Sequence, residues 1–325
     1  MSVFRRMFNA LTTVGFKVYD LGPGTGLVTR RKDYRVVDVS PRSWLVTRGK
    51  KDPVVTKAVA LATGDREANK KKSVPLGPNA KLVLDNDAVL ADEHAFQKPA
   101  HNYMCDRHVA ELLRHYRVNC VFDVGANVGQ YAKHLRKFGY RGRIVSFEPV
   151  PHIAEKLKAA AADDPDWHVY QWALGREAGS VTMNVVKGSM SSILGPTDFG
   201  STRYKRFNNI DKQEVPVHRL DEIMDDAMSG IADPRPYLKM DTQGFDLEAF
   251  AGAGSRIKEM VGMQSEVALM HIYEGMPGMT EALSVYTEAG FEITGMYPVS
   301  REQKTKRVLE FDCVMARAEA APTES

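Results

Sequence analysis

Between residues 104 and 317 short apolar runs alternate with stretches whose apolar residues recur every three or four positions. That rhythm predicts strands followed by amphipathic helices. Val109, Leu112, Leu113 and Tyr116 share one helical face ahead of a first strand over 120–125. A helix carrying Tyr131, Leu135 and Phe138 follows and stops at Gly139. A second strand is expected over 143–148, then a helix opened by Pro149 and Pro151, where proline is tolerated, and a third strand near 167–172. Val181–Val186 alternates as a strand outside this rhythm. Further strands are expected at 215–218, 237–241 and 263–269, with helices over 220–227, from about 246, and over about 279–289. The last two strands, 291–296 and 309–315, have no helix between them and should pair antiparallel. The fold class expected is α/β, a doubly wound, seven-stranded, mostly parallel, Rossmann-like sheet with an N-terminal extension.

The extension, residues 1–100, lacks this regularity and is expected to be an accessory region before a main domain over 101–318 and a disordered tail over 319–325. Phe4, Met7, Phe8, Leu11 and Val14 have helical spacing. Residues 34–39 and 43–47 suggest short strands, and 64–78, with its lysines, glycines and prolines, suggests a loop. A second long polar stretch, 188–209, has the composition of a loop, and loops of that length are disordered or functional.

Candidate chemistry concentrates at the first two strands of the main domain. Val121-Phe-Asp-Val-Gly-Ala-Asn-Val-Gly129 describes a buried strand, a Gly-rich turn and the start of a helix. Glu148 ends the second strand 25 positions after Asp123, where a carboxylate can accept hydrogen bonds from two ribose hydroxyls. A dinucleotide turn needs G-x-G-x-x-G so that backbone can approach a pyrophosphate. Here Gly125 and Gly129 are spaced G-x-x-x-G, and Asn127 holds the middle glycine's place. The ligand that suits a phosphate-free turn is S-adenosylmethionine, whose ammonium and carboxylate could meet Asp123, Asn127 and backbone N–H groups of Gly125, Ala126 and Gly129. Asp20-Leu-Gly-Pro-Gly-Thr-Gly26 imitates such a turn, but no apolar helical stripe or acidic strand tip follows it, so it is expected to be an ordinary loop.

Whole-chain properties narrow the setting. A hydrophobic content of 43% over 325 residues supports a sizeable core. No apolar run approaches the roughly 18 residues of a spanning helix, and no signal peptide is recognised. Cys105, Cys120 and Cys313 show no C-x-x-C spacing, which points to buried thiols, a reduced cytoplasmic setting and no structural zinc. The net charge of +3 is uneven. Residues 1–72 hold 16 Lys/Arg against 6 Asp/Glu, or +10, which leaves −7 for the rest. The simplest account is a solvated basic arm beside an acidic body. Peripheral contact with an anionic membrane surface is the sharper alternative.

The ordered set Phe122–Gly129, Phe-Glu-Pro (147–149), Ala-Leu-Gly (173–175), Ser-Ser-Ile-Leu (191–194), Leu-Lys-Met-Asp-Thr-Gln-Gly (238–244) and Tyr-Glu-Gly (273–275) resembles the FkbM family of S-adenosylmethionine-dependent methyltransferases. The likeness covers about residues 104–317. It implies the class I methyltransferase fold, no metal, and O-methylation of a small hydroxylated molecule such as a sugar, glycolipid or polyketide-type metabolite. Many family members carry Glu where this chain has Gln243, which argues against a proton acceptor at that position. Expected cofactor contacts are Asp123, Gly125, Ala126, Asn127, Gly129, Glu148 and Pro149, with Ala173 and Leu174 along the adenine edge. Asp241, at the fourth strand's tip, is the first candidate for the base. Glu266, a charge inside an apolar strand, is the second, or else the partner of a buried cation such as Lys239. His271, just past the fifth strand, is the third. Ser191 and Ser192 are expected on the acceptor-side rim. A nicotinamide-dependent oxidoreductase, a non-catalytic adaptor and a nucleic-acid methyltransferase are the competing readings. The last lacks strong aromatic-basic interleaving.

Overall fold

A computed structural model of the chain describes residues 17–20, 26–29, 34–40, 43–48, 71–77, 80–85, 97–302 and 304–322. The chain divides into two compact units, Met1–Tyr103 and Met104–Ser325.

In the first unit β1 (Lys17–Asp20) and β2 (Gly26–Thr29) pair antiparallel. The glycine-rich segment between them therefore links two strands of a hairpin, with no nucleotide-type strand-to-helix turn. A four-stranded antiparallel sheet contains β3 (Tyr34–Ser40), β4 (Ser43–Arg48), β5 (Lys71–Gly77) and β6 (Ala80–Asp85), in the order β3-β4-β6-β5. β5 corrects the loop expected over 64–78. It is an edge strand, where Pro75 removes no ladder bond that the sheet needs, and its register shifts between Pro75 and Gly77. The amphipathic segment over 4–14 lies outside the described residues.

The second unit is built on seven strands: β7 (Cys120–Val124), β8 (Arg143–Phe147), β9 (Trp167–Tyr170), β13 (Pro236–Met240), β14 (Gly262–Ala268), β15 (Glu292–Arg301) and β16 (Val308–Ala316). Their order is β15-β16-β14-β13-β7-β8-β9. The five strands from β14 to β9 are parallel, and β16 lies antiparallel to both β14 and β15. The central strands β7 and β13 are buried at every position, which explains why they read as continuous apolar runs. Alternate residues face opposite layers. Phe122, Val124, Phe147, Leu238 and Met240 pack with Leu220, Met224, Phe250 and Tyr286 from the helices Leu220–Ala227, Asp246–Ala251 and Met279–Glu288. Val121, Ile144 and Tyr237 pack with Val109, Leu112, Leu135 and Leu157 from the helices Lys98–His115, Gln130–Lys137 and Pro151–Ala161. Burying a side chain such as Phe122 contributes about 1.5–3 kcal/mol.

A smaller three-stranded sheet holds β10 (Ala173–Leu174), β11 (Gly179–Val185) and β12 (Asp211–His218), ordered β10-β12-β11. The stretch over 188–209 is not one open loop. It contains a short helix, Asp198–Arg203, and a 3-10 turn, Lys205–Asn208. Thr197 caps the helix by accepting the Gly200 N–H at 3.0 Å. The tail expected over 319–325 is also partly ordered, with a 3-10 turn over Ala318–Ala320.

All three cysteines are buried and free. Burial pushes the thiols of Cys120 and Cys313 up to about 12, which leaves them inert. No described helix is long and apolar enough to cross a membrane.

Candidate cofactor and acceptor site

The turn after β7 is fixed by packing. Gly125 has a φ of +76°, and a Cβ there would fall 2.0 Å from the Asp241 carbonyl oxygen. The Gly-rich turn and the tip of β13 thus touch through backbone. Gly129 has a φ of +82°, and its missing side chain makes room for the Trp167 ring, 2.7 Å from where a Cβ would stand.

The turn's N–H groups are already used, contrary to the expectation that they greet a ligand. Gly125 and Ala126 both donate to the Phe147 carbonyl at 3.0 Å, and Gly129 donates to Ala126 at 2.9 Å. Val128 donates to the Asn127 side chain at 2.8 Å, and Asn127 to a Glu148 carboxylate oxygen at 2.9 Å. A pyrophosphate would find no free backbone donor here. That strengthens the case against a dinucleotide and assigns recognition to side chains.

Glu148 is nearly buried at 5% exposure, with one oxygen held by the Asn127 N–H and the other by the Val150 N–H at 3.0 Å. Burial pushes its carboxyl up to about 7, against the pull of those two N–H groups and Lys239. A carboxylate offers about four lone-pair sites. The two that remain fit the hydroxyl pair of a ribose, so the donor set suits an adenosyl cofactor. Pro149 is buried beside it.

Asp123 turns inward. It is fully buried, with one oxygen 3.0 Å from the Lys239 ammonium and the other accepting from Ser146 at 3.3 Å. This corrects its reading as a direct ligand. Lys239 also lies 3.9 Å from Asp241 and under the Tyr131 ring. Burial works against its charge, but Asp123 and Asp241 outweigh burial and raise its pKa. Glu266 is therefore not the partner of Lys239.

Glu266 instead meets an amide. Gln243 Nε2 donates to Asp241 at 2.8 Å and to Glu266 at 3.2 Å. Gln243 Oε1 accepts from the Tyr273 hydroxyl at 2.9 Å. Gln243 has a φ of +56°, and its carbonyl is held by the Ser192 hydroxyl at 2.7 Å. Ser192 is fully buried, so it supports Gln243 and does not form a rim. Ser191 bonds the Val186 N–H at 3.1 Å. Burial, then the nearby carboxylates of Glu310, Asp241 and Asp312, drive the Glu266 pKa well above the usual range. The Asp241 side chain is 44% exposed and borders the crevice.

His271 lies outside this network. It is exposed, and its carbonyl accepts the Thr197 hydroxyl at 2.9 Å. His218 stacks on Trp172, with ring centroids 4.0 Å apart. Ala173 and Leu174 are buried in β10, where they face Val217 and His218 of β12. Sequence reasoning missed the bridging role of Gln243 and the hydroxyl of Tyr273. The Gln243-Gly244 pair after a strand tip was the available signal. Among the described residues no cluster of His, Cys, Asp and Glu could hold a metal ion.

Comparison with curated proteins finds no match. Several solved structures are similar. Aeropyrum pernix fibrillarin in complex with natively bound S-adenosyl-L-methionine is 12% identical, with a TM-score of 0.37, and covers 92% of this chain and 97% of its own. Magnesium protoporphyrin IX methyltransferase from Synechocystis PCC 6803, with bound cofactor, is 11% identical, with a TM-score of 0.38 and coverages of 72% and 87%. An rRNA methylase from Streptococcus thermophilus is 11% identical, with a TM-score of 0.35 and coverages of 71% and 99%. The family profile described as the methyltransferase FkbM domain matches residues 123–293. That match takes in β7, β8, β13 and β14 and spans more than half of the chain, which therefore belongs to the FkbM methyltransferase family and is an S-adenosylmethionine-dependent enzyme.

Proposed function

We propose that the protein methylates a hydroxyl oxygen of a small molecule such as a sugar, glycolipid or polyketide-type metabolite. Family membership removes the oxidoreductase alternative. The observation that carries the reading is the Asp241–Gln243–Glu266 cluster, two carboxylates sharing one amide at adjacent strand tips. Open α/β sheets place their ligands at that end.

When bound, S-adenosylmethionine supplies an electrophilic methyl on a sulfonium. Glu148 would hold the ribose hydroxyls, with Asn127 and Pro149 around it. A neutral hydroxyl is a poor nucleophile, so the chain must accept its proton as the oxygen–carbon bond forms. Glu266 suits that task, because the surroundings that raise its pKa also raise its affinity for a proton. Asp241 is more exposed and can pass the proton to water. Gln243 keeps the carboxylates apart and oriented, and Tyr273 fixes which way the amide points. Holding the acceptor oxygen in line supplies much of the rate.

The test is incubation of the full chain with methyl-labelled cofactor and extracts of hydroxylated metabolites or lipids, with the product's linkage assigned by NMR. A methyl ether or ester supports the proposal. Label confined to nitrogen, carbon or nucleic acid overturns it.

A further inference from the structure

Residues 187–209 enclose a cavity of about 510 Å³ lined by Lys187, Arg203, Tyr204, Lys205, Arg206 and Asn209. Four of those six residues are cations. Among the described residues no carboxylate forms an ion pair with Lys187, Lys205 or Arg206. Like charges gathered around one concavity repel each other unless an anion sits among them.

The cavity is supported from several sides. The Arg203 guanidinium donates to the Arg301 carbonyl at 2.7 Å and lies over the Tyr204 ring. Gly188 has a φ of +104°, and a Cβ there would come within 2.9 Å of the Arg206 guanidinium, so glycine leaves that side chain its space. The turn that carries Lys187 is closed by Ser191 on Val186 and by the Tyr273 hydroxyl, 3.0 Å from the Met190 carbonyl.

Tyr273 ties the cavity to the transfer site. The same hydroxyl lies 2.9 Å from Gln243 Oε1. Its ring meets Phe207 edge-on at 5.7 Å, and Phe207 meets Tyr204 at 6.1 Å. One packed aromatic run thus connects a lining residue of the basic cavity to the amide between Asp241 and Glu266.

We infer that the methyl acceptor carries a phosphate group, bound by Lys187, Arg203, Lys205 and Arg206, while its hydroxyl lies at Asp241 and Glu266. Two guanidinium forks and two ammonium groups exceed what a single carboxylate needs and match the charge and oxygens of a phosphate ester. The inference rests on the acceptor side proposed above. Its chemistry is shared by soluble phosphate esters and phospholipid headgroups.

The direct test is calorimetry of the full chain with inorganic pyrophosphate, comparing wild type with Lys187→Ala/Arg206→Ala. These side chains are exposed, and neither belongs to the cofactor crevice. We expect measurable binding that weakens at least tenfold in the double variant, with cofactor affinity unchanged. No binding by wild type, or equal binding by both proteins, overturns the inference. Transfer assays then separate the sources. Aqueous and lipid extracts are offered with and without prior phosphatase treatment, and acceptance that phosphatase abolishes identifies the fraction holding the acceptor. Undiminished O-methylation after phosphatase overturns the phosphate inference and leaves O-methyl transfer standing. Label that ribonuclease releases overturns both.

Discussion

A side chain at Gly125 would collide with the backbone of Asp241, because the two residues approach so closely that a Cβ would sit 2.0 Å from the Asp241 carbonyl oxygen. The cofactor turn and the strand tip carrying the first candidate base are thereby one rigid unit. The Asp241 N–H also donates to the Val124 carbonyl at 3.0 Å, one residue before that glycine. Gly125→Ala should lower stability by at least about 2 kcal/mol, from the left-handed backbone and the clash together. Urea unfolding checks this. A variant as stable as wild type would mean that the contact is loose.

Glu148 links cofactor binding to pH. Its carboxyl lies near pKa 7 in the free protein, and hydroxyl donors from a ribose would favour the ionised form. Below about pH 7 binding must therefore release a proton. Affinity should rise with pH up to about 7, by as much as tenfold per unit, and then level off. Calorimetry in two buffers of different ionisation enthalpy reads the proton directly. Glu148→Gln should weaken binding and flatten the profile; a pH-independent affinity in wild type would contradict the role given to Glu148.

The same residue acts oppositely on stability. Its folded pKa stands above the unfolded value near 4.5, so the protonated form is the one that folding favours. Its contribution is complete below about pH 4.5 and is lost as pH rises through about 7. Glu148→Gln in the absence of cofactor should narrow the stability difference between pH 5 and pH 8, as measured by thermal unfolding.

Lys239 and Asp123 form a buried pair whose halves depend on each other. Lys239→Met leaves Asp123 buried without its cation, which should cost about 3–5 kcal/mol. Adding Asp123→Asn should recover part of that loss, because the remaining polar group is neutral. A purely additive double variant in urea titrations would show that the two side chains act separately.

Much of the main sheet could be read in the sequence because its central strands are buried on both faces and appear as continuous apolar runs. The terminal antiparallel pair followed from the missing helix between its strands, and Glu292 does face Ala316. Other features depend on register, which the sequence does not specify. Lys239 lies opposite Asp123 on one side and Gln264 on the other, so its ammonium meets β7 and not Glu266. The turn's glycines were visible, but not that the Phe147 carbonyl takes two of the turn's N–H groups. β5 was hidden by its lysines and Pro75, which suit an edge strand as well as a loop. The helix inside 188–209 was signalled by Thr197 followed by Asp198, a weak signature in a stretch rich in turn residues.

The central claim is that the chain's own carboxylates take the acceptor's proton at the Asp241–Gln243–Glu266 cluster. Its most direct test is the pH dependence of single-turnover methyl transfer, at saturating cofactor, in wild type, Asp241→Asn and Glu266→Gln. The account predicts a wild-type rate that falls on the acid side with a midpoint above the ordinary carboxylate range, and a Glu266→Gln rate at least about tenfold lower with that limb gone. Asp241→Asn should keep the limb and move its midpoint downward, because one of the charges that raises the Glu266 pKa has been removed. Wild-type rates and an unchanged acid limb in both variants would contradict the account.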